Sequence, residues 1–268
     1  MKKRLSIVGL GWFGMELAKA LSQEYSVFGT KRSATIHESE VEVLPLCFNP
    51  EPSGTSLSDV FNAELLVLNI PPNSRKDSAE SDYRKMMDAV LSAIQESPIE
   101  RAIFVSSTGV FGDHEGRIDE ETLPISSSKG GRILLEAEER FLSISSCETV
   151  ILRPAGLVGG ERHPAKFLAG RKGISGRMNS VNLVQRDDLI SMTSAILKAL
   201  ELEGRVFHAC AEGHPSKEEY YVAMARKMGL DLPSFDLQDN SKGKEVSAEW
   251  SKEKLDVKFK HDDPFTMI

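Results

Sequence analysis

Apolar residues fall along this 268-residue chain in two kinds of run. Short unbroken stretches, Ser6-Ile7-Val8, Leu65-Leu66-Val67-Leu68-Asn69-Ile70 and Ala102-Ile103-Phe104-Val105, have the pattern of parallel strands covered on both faces. Between them apolar residues recur every three or four positions. Met15 to Leu21 reads as an amphipathic helix. So does the stretch from about Ser78 to Ser97, where Tyr83, Met86, Met87, Val90, Leu91 and Ile94 share one face. Alternation over Tyr25-Ser26-Val27-Phe28-Gly29-Thr30 predicts a second strand, and Val43 to Phe48 predicts a third, interrupted by Pro45 and followed by a Pro-, Ser- and Gly-rich loop. Towards the end, a helix from Leu189 to Leu202 and a strand Val206–Cys210 return to the sheet. Ser216 caps a last helix, with Glu219 at the box position and Gly229 closing it. Strand and helix alternate as they do in an α/β fold.

The first apolar run passes into Gly9-Leu10-Gly11-Trp12-Phe13-Gly14, three glycines at G-x-G-x-x-G spacing between a predicted strand and a predicted helix. Each glycine has a chemical reason. Gly9 lets the chain turn out of the strand, Gly11 has no side chain to hold a pyrophosphate off the backbone, and Gly14 lets the helix lie close to the strand. The helix N-terminus then offers N–H groups and partial positive charge to the phosphates. This predicts a Rossmann-type dinucleotide site with a doubly wound parallel sheet. Lys2-Lys3-Arg4 before an apolar run, with Ala18-Lys19-Ala20 after it, imitates a secretory signal, but Glu16 and the three glycines argue against export.

The second strand ends in Thr30-Lys31-Arg32-Ser33 rather than in the acidic residue that usually holds the adenosine ribose hydroxyls. A carboxylate would repel a 2'-phosphate, whereas these residues suit one, so the sequence favours NADP over NAD. The alternative for Lys31 and Arg32 is a solvated loop tip. Pro71-Pro72-Asn73 stops the strand before it at the edge where ligands lie in such sheets.

Composition narrows the picture. A net charge of -7 argues against a nucleic-acid surface, and no apolar run is long enough to cross a bilayer. Cys47, Cys147 and Cys210 are far apart, odd in number and without C-x-x-C spacing. They read as buried thiols in a reducing compartment, which places the protein in the cytoplasm. No zinc-type ligand cluster appears, so metal chemistry is not expected.

From Ser106 the chain resembles a known family. Ser106-Ser107-Thr108-Gly109-Val110-Phe111-Gly112-Asp113, followed by Asp119-Glu120 and Pro124, is similar to the S-S-x-x-V-[YF]-G-D segment of the extended short-chain dehydrogenase/reductases, the NAD-dependent epimerase/dehydratase-like superfamily. Leu152-Arg153-Pro154-Ala155-Gly156-Leu157-Val158-Gly159 resembles that family's R-P segment after the sixth strand, and Val181 to Leu189 its segment before a helix. The resemblance implies a dinucleotide-binding domain over 1–160, with 181–210 returning to its sheet, and a smaller substrate-binding lobe from 161–180 and 211–268. It also implies a small-molecule substrate and a homodimer through the long helices.

The resemblance breaks at one place. Active members use a Ser or Thr with a Y-x-x-x-K pair. Ser107 matches the first, but Ser128-Lys129-Gly130-Gly131-Arg132 puts serine for tyrosine and arginine for lysine, with Glu136 following. A serine hydroxyl is far less acidic than a phenol of pKa about 10 and does not replace it as a proton donor. Arg132 can still hold a cofactor ribose or an anionic substrate through its fixed fork. His114 and His163 are candidates for a substitute acid/base, or else solvated loop histidines. The basic stretch Arg162, Lys166, Arg171, Lys172 and Arg177 suits an anionic substrate such as a nucleotide sugar, or is a solvated loop.

The expected cofactor set is therefore Gly9, Gly11, Trp12, Phe13, Gly14, Thr30, Lys31, Arg32 and Pro71, and the expected catalytic set Ser107, Ser128 and Arg132. Three readings stand. One is an NAD(P)-dependent oxidoreductase or epimerase acting on a small polar or nucleotide-sugar-like substrate. Another is a catalytically silent protein that senses NADP(H) or scaffolds a partner. The third, a hydroxyacid- or imine-type reductase, explains the glycines but not Ser107 to Asp113.

Overall fold

The strand cores of three predicted runs are buried. Leu5, Ile7, Val8, Leu66, Val67, Leu68, Ala102, Ile103 and Phe104 are sealed from solvent, as parallel strands with helices on both faces require. The computed structural model describes residues 1–32, 41–49, 51–126 and 128–267. In chain order the elements begin β1 (Arg4–Val8), α1 (Trp12–Leu21), β2 (Ser26–Lys31), β3 (Glu42–Phe48), β4 (Pro52–Gly54), α2 (Leu57–Val60), β5 (Leu65–Leu68), α3 (Ala79–Gln95) and β6 (Arg101–Val105). They continue with β7 (Gly116–Ile118), α4 (Lys129–Leu142), β8 (Glu148–Pro154), β9 (Gly156–Val158), α5 (Ala165–Leu168), β10 (Leu183–Gln185) and α6 (Arg186–Lys198). The last are β11 (Val206–Ala209), α7 (Lys217–Lys227), β12 (Lys244–Val246) and α8 (Glu249–Lys254).

The main sheet has eight strands in the order β11-β8-β6-β5-β1-β2-β3-β4. β1 pairs in parallel with β2 on one side and β5 on the other. That reversal of strand order leaves a crevice beyond the C-terminal ends of β1, β2 and β5. β3 runs unbroken through Pro45, whose partner Lys31 is the last residue of the β2 ladder, so the missing N–H falls at the end of the pairing. The loop expected after it contains β4, antiparallel to β3. α1 starts at Trp12, three residues before the periodicity predicts, and α6 runs Arg186–Lys198 rather than Leu189 to Leu202.

The chain divides into two compact units. The first is Met1–Val110, Ser126–Leu152 and Leu200–Val206, and the second Phe111–Ile125, Arg153–Ala199 and Phe207–Ile268. In the second, Val158, Ala165, Leu183, Ala211, Tyr220, Met224 and Met267 form a core that includes residues of the parallel pair β9–β10, and β7 pairs in parallel with β12. The capping box of α7 is complete: Ser216 accepts from the Glu219 N–H while the Glu219 carboxylate accepts from the Ser216 N–H. Gly229 follows with φ +64. The Asp188 carboxylate, sealed inside, accepts from the backbone N–H groups of Lys260 at 2.8 Å and His261 at 3.1 Å, tying the end of the chain to α6. Cys210 is buried, but Cys47 and Cys147 are only half-buried, a correction to the reading of all three as buried thiols.

Candidate functional site

The glycine turn is built as the spacing requires. Gly9 has φ +109, and a side chain there would overlap the carbonyl oxygen of Asn69. The turn is braced from both neighbouring strands. Thr30 Oγ1 accepts from the Gly9 N–H at 3.2 Å, Leu10 N–H donates to Thr30 O at 2.7 Å, and Asn69 Nδ2 donates to Gly9 O at 3.2 Å. At Gly14 a Cβ would overlap Gly9 O, so α1 can lie against the turn only without one. Gly11 differs: a Cβ there meets nothing within 4 Å. Packing therefore does not explain the glycine at 11. Gly11 is the N-cap of α1, and no side chain caps the helix there, so its backbone end is open to an anion.

That space is one end of a cleft of about 680 Å³ in the first unit, within the size range of cofactor sites. Gly9, Leu10 and Gly11 form its floor. Thr30, Lys31 and Arg32 line it from β2, and Leu46, Phe48 and Asn49 from β3. Asn69 to Asn73 and Lys76 line it after β5, with Ala79, Asp82, Tyr83 and Met86 from α3. Lys31 is half-buried and Arg32 exposed; Ser33 lies outside the described residues. Thr30 is 3% exposed, so its hydroxyl serves the glycine turn. Asp82, the acid in the wall, accepts from Ser78 Oγ at 2.8 Å. Tyr83 donates its phenol to Ile70 O at 2.7 Å, and burial pushes its pKa up, so it braces the wall as a neutral group. Trp12, Phe13 and Gly14, expected in the cofactor set, do not line the cleft, and the Phe13 ring is buried.

The expected catalytic residues stand elsewhere in the same unit, and none of them lines the cleft. Ser107 lies just past β6, half-buried, its Oγ accepting from the Gly109 N–H at 3.0 Å. Ser128 is the N-cap of α4 and accepts from the Gly131 N–H at 3.1 Å. Its hydroxyl thus satisfies a helix end where the resemblance calls for a proton donor. Arg132 is exposed in the first turn of α4. The Glu136 carboxylate is held below its ordinary range by its hydrogen bond to Arg84, at 2.5 Å from Nε.

In the second unit His163 is not a solvated loop residue. It is 3% exposed. Its Nδ1 accepts from the Ala165 N–H at 3.2 Å, leaving Nε2 to donate to Met267 O at 3.2 Å beside the Tyr220 hydroxyl. Burial lowers its pKa, which keeps the ring neutral. His114 is half-buried, with Nδ1 enclosed and without a hydrogen-bond partner. Three of the basic residues are tied locally: Lys166 to Glu161 O, Lys172 to Leu232 O, and Arg177 to Glu218 and Asn240. Among the described residues no group of three or more His, Cys, Asp or Glu side chains could hold a metal, and no helix is long and apolar enough to cross a membrane.

Sequence reasoning missed Asn69, Asp82 and Lys76. Asn69 carried a signal, a polar residue at the C-terminal end of an otherwise apolar strand.

No family model matches the chain. It is 33% identical over 273 residues to Protein YeeZ of Escherichia coli strain K12, covering 99% of this chain and 98% of that one. The chain belongs to the YeeZ family. Solved structures similar to this YeeZ-family chain share its architecture. A functionally unknown conserved protein from Silicibacter pomeroyi superposes with TM-score 0.77 at 23% identity, covering 99% of this chain and 96% of that one. The UDP-glucuronic acid 4-epimerase from Bacillus cereus, solved in complex with NAD, superposes with TM-score 0.79 at 17% identity, covering 98% and 94%. This YeeZ-family member thus shares the fold of the UDP-glucuronic acid 4-epimerase.

Proposed function

We propose that the chain binds NADP(H) in the first-unit cleft and uses it in an oxidoreductase or epimerase reaction on a small polar or nucleotide-sugar-like substrate. The observation that carries this is Gly11. Its missing side chain opens on the cleft at an uncapped helix N-terminus, while Lys31 and Arg32 line the same cleft and no carboxylate ends β2. Two cations in place of an acid suit a 2'-phosphate. The nucleotide-sugar class is supported by the fold neighbour that acts on UDP-glucuronic acid.

A bound nicotinamide would supply hydride transfer. The chain's own residues bind and orient. The first turn of α1 takes the pyrophosphate, Arg32 and Lys31 the 2'-phosphate, and Ser107 a substrate hydroxyl or carbonyl. Arg132 takes a ribose or an anionic group. No phenol stands at the start of α4, so proton transfer falls to a group other than a tyrosine there.

One observation favours the second reading, a catalytically silent NADP(H) sensor or scaffold: where the resemblance calls for a tyrosine, Ser128 serves as the N-cap of α4, its oxygen accepting from the Gly131 N–H. Calorimetric titration with NADPH and NADH, followed by a turnover screen of sugar nucleotides, separates the two. Arg32→Ala should weaken NADPH binding about ten- to a hundredfold, the worth of one charge-assisted hydrogen bond, and NADH binding little. Equal losses would remove the 2'-phosphate assignment. Tight NADPH binding without cofactor-dependent turnover would favour the silent reading.

A further inference from the structure

The stretch that lacks the tyrosine and lysine is not idle. Lys129 Nζ donates to the backbone carbonyls of Lys76 at 2.6 Å and Asp77 at 3.0 Å. One residue on, a Cβ at Gly130 would stand 3.5 Å from the Ser74 side chain, so the start of α4 and the segment after β5 lie in van der Waals reach. That segment is a wall of the cleft: Pro71, Pro72, Asn73 and Lys76 all line it. It is a turn, with Lys76 N–H donating to Asn73 O at 3.1 Å and Ala79 N–H to Lys76 O at 3.2 Å, and its residues from Asn73 to Ser78 are exposed. An exposed turn has little apolar burial to hold it in one conformation. The ammonium on two of its carbonyls supplies a hold from outside.

We propose that Lys129 is a positioning residue of the cleft. It pins the 76–77 carbonyls, so that Lys76 stays in the wall and joins Lys31 and Arg32 as a third cation facing the phosphates of a bound dinucleotide. This inference rests on the dinucleotide reading above for its ligand, but not for the pin itself. The lysine next to the vacated tyrosine position thereby acts on the cofactor site through backbone.

The test uses the full chain with NADPH as probe, and the variants Lys129→Met, Lys129→Arg, Lys76→Met and the double Lys76→Met/Lys129→Met. Lys129→Met is expected to weaken NADPH binding about tenfold, with Lys129→Arg, which can still donate to both carbonyls, within about threefold of the parent. Lys76→Met should lose a similar factor, and the double variant should be little worse than Lys76→Met alone, because the two residues act in series. Unchanged NADPH affinity in Lys129→Met, or losses that multiply in the double variant, would overturn the proposal. Hydrogen exchange of the ligand-free chain tests the pin separately. The amides from Lys76 to Ala79 should exchange faster in Lys129→Met and as in the parent in Lys129→Arg, and unaltered exchange would overturn the pin whatever binds. A parent that binds neither NADPH nor NADH would overturn the dinucleotide reading and the role of Lys76 with it, and the exchange result alone would then decide the pin.

Discussion

Alanine at Gly11 and alanine at Gly14 are expected to do opposite things, although the two positions share one turn. At Gly14 the added Cβ overlaps the Gly9 carbonyl oxygen, a backbone atom held in turn by Asn69 Nδ2. Neither partner has a rotamer to escape into, so β1 and α1 must separate. Overpacking of this kind costs about 1–3 kcal/mol, and at about 2–4 °C per kcal/mol for a chain of this size the melting temperature should fall by about 2–12 °C. At Gly11 the Cβ meets nothing within 4 Å, and the backbone at φ -78 is one that alanine adopts freely. What remains is the weaker N-cap preference of alanine, about 1 kcal/mol or less. The methyl nevertheless stands where a phosphate would approach the first turn of α1. Losing one charge-assisted hydrogen bond there costs about 1.5–3 kcal/mol, or about ten- to a hundredfold in affinity. The assay is paired: thermal unfolding without ligand and calorimetric titration with NADPH for each variant. Gly11→Ala should keep its melting temperature within a few degrees and lose binding, whereas Gly14→Ala should lose stability first. Gly11→Ala binding NADPH as tightly as the parent would refute the argument that its open side holds the ligand.

Ser128→Ala should remove the cap of α4 at a cost of about 1 kcal/mol and leave NADPH affinity within about threefold. A tenfold loss of affinity at unchanged melting temperature would return Ser128 to the ligand site. In the second unit, burial raises the pKa of Glu120 while its bond from Ser251 opposes the rise. The folded chain therefore holds that proton more tightly than the unfolded chain, and stability falls as pH climbs from the ordinary carboxylate value through the raised one. Glu120→Gln keeps an acceptor for Ser251 and removes the ionisation. Its melting temperature should gain on the parent's as pH rises from the ordinary carboxylate value, through the raised one. Asp188, also raised by burial, titrates in both proteins and cancels in the difference. A gap independent of pH would show that Glu120 does not carry the effect.

The central strands were legible because a parallel strand covered on both faces has no choice of residue type, as Leu65 to Leu68 show. The glycine turn was legible because its reasons are local: a positive φ at Gly9 and close approach at Gly14 are both set within six residues. The start of α1 was not, since Trp12 and Phe13 break the apolar spacing while their backbone is already helical. β4 hid in a composition that reads as loop, because the pairing that makes Pro52–Gly54 a strand comes from β3. Contacts between distant segments left no trace in local pattern. His163 sits among glycine and charge and reads as surface, yet Tyr220 and Met267 bury it. Nothing near Lys129 announces the carbonyls of Lys76 and Asp77.

The hydroxyl of Thr30 on the Gly9 N–H has a consequence for how cofactor preference can change by mutation. The end of β2 is where nucleotide-binding sheets ordinarily choose between a ribose hydroxyl and a phosphate. In this chain the first position there faces inward and is committed to the turn. An acid introduced at Thr30 would be buried against the glycine backbone and would damage the shared phosphate site before it reached a ribose. A mutation that changes the choice between the two dinucleotides without disturbing the turn would therefore act at Lys31 or Arg32, which line the cleft, rather than at Thr30.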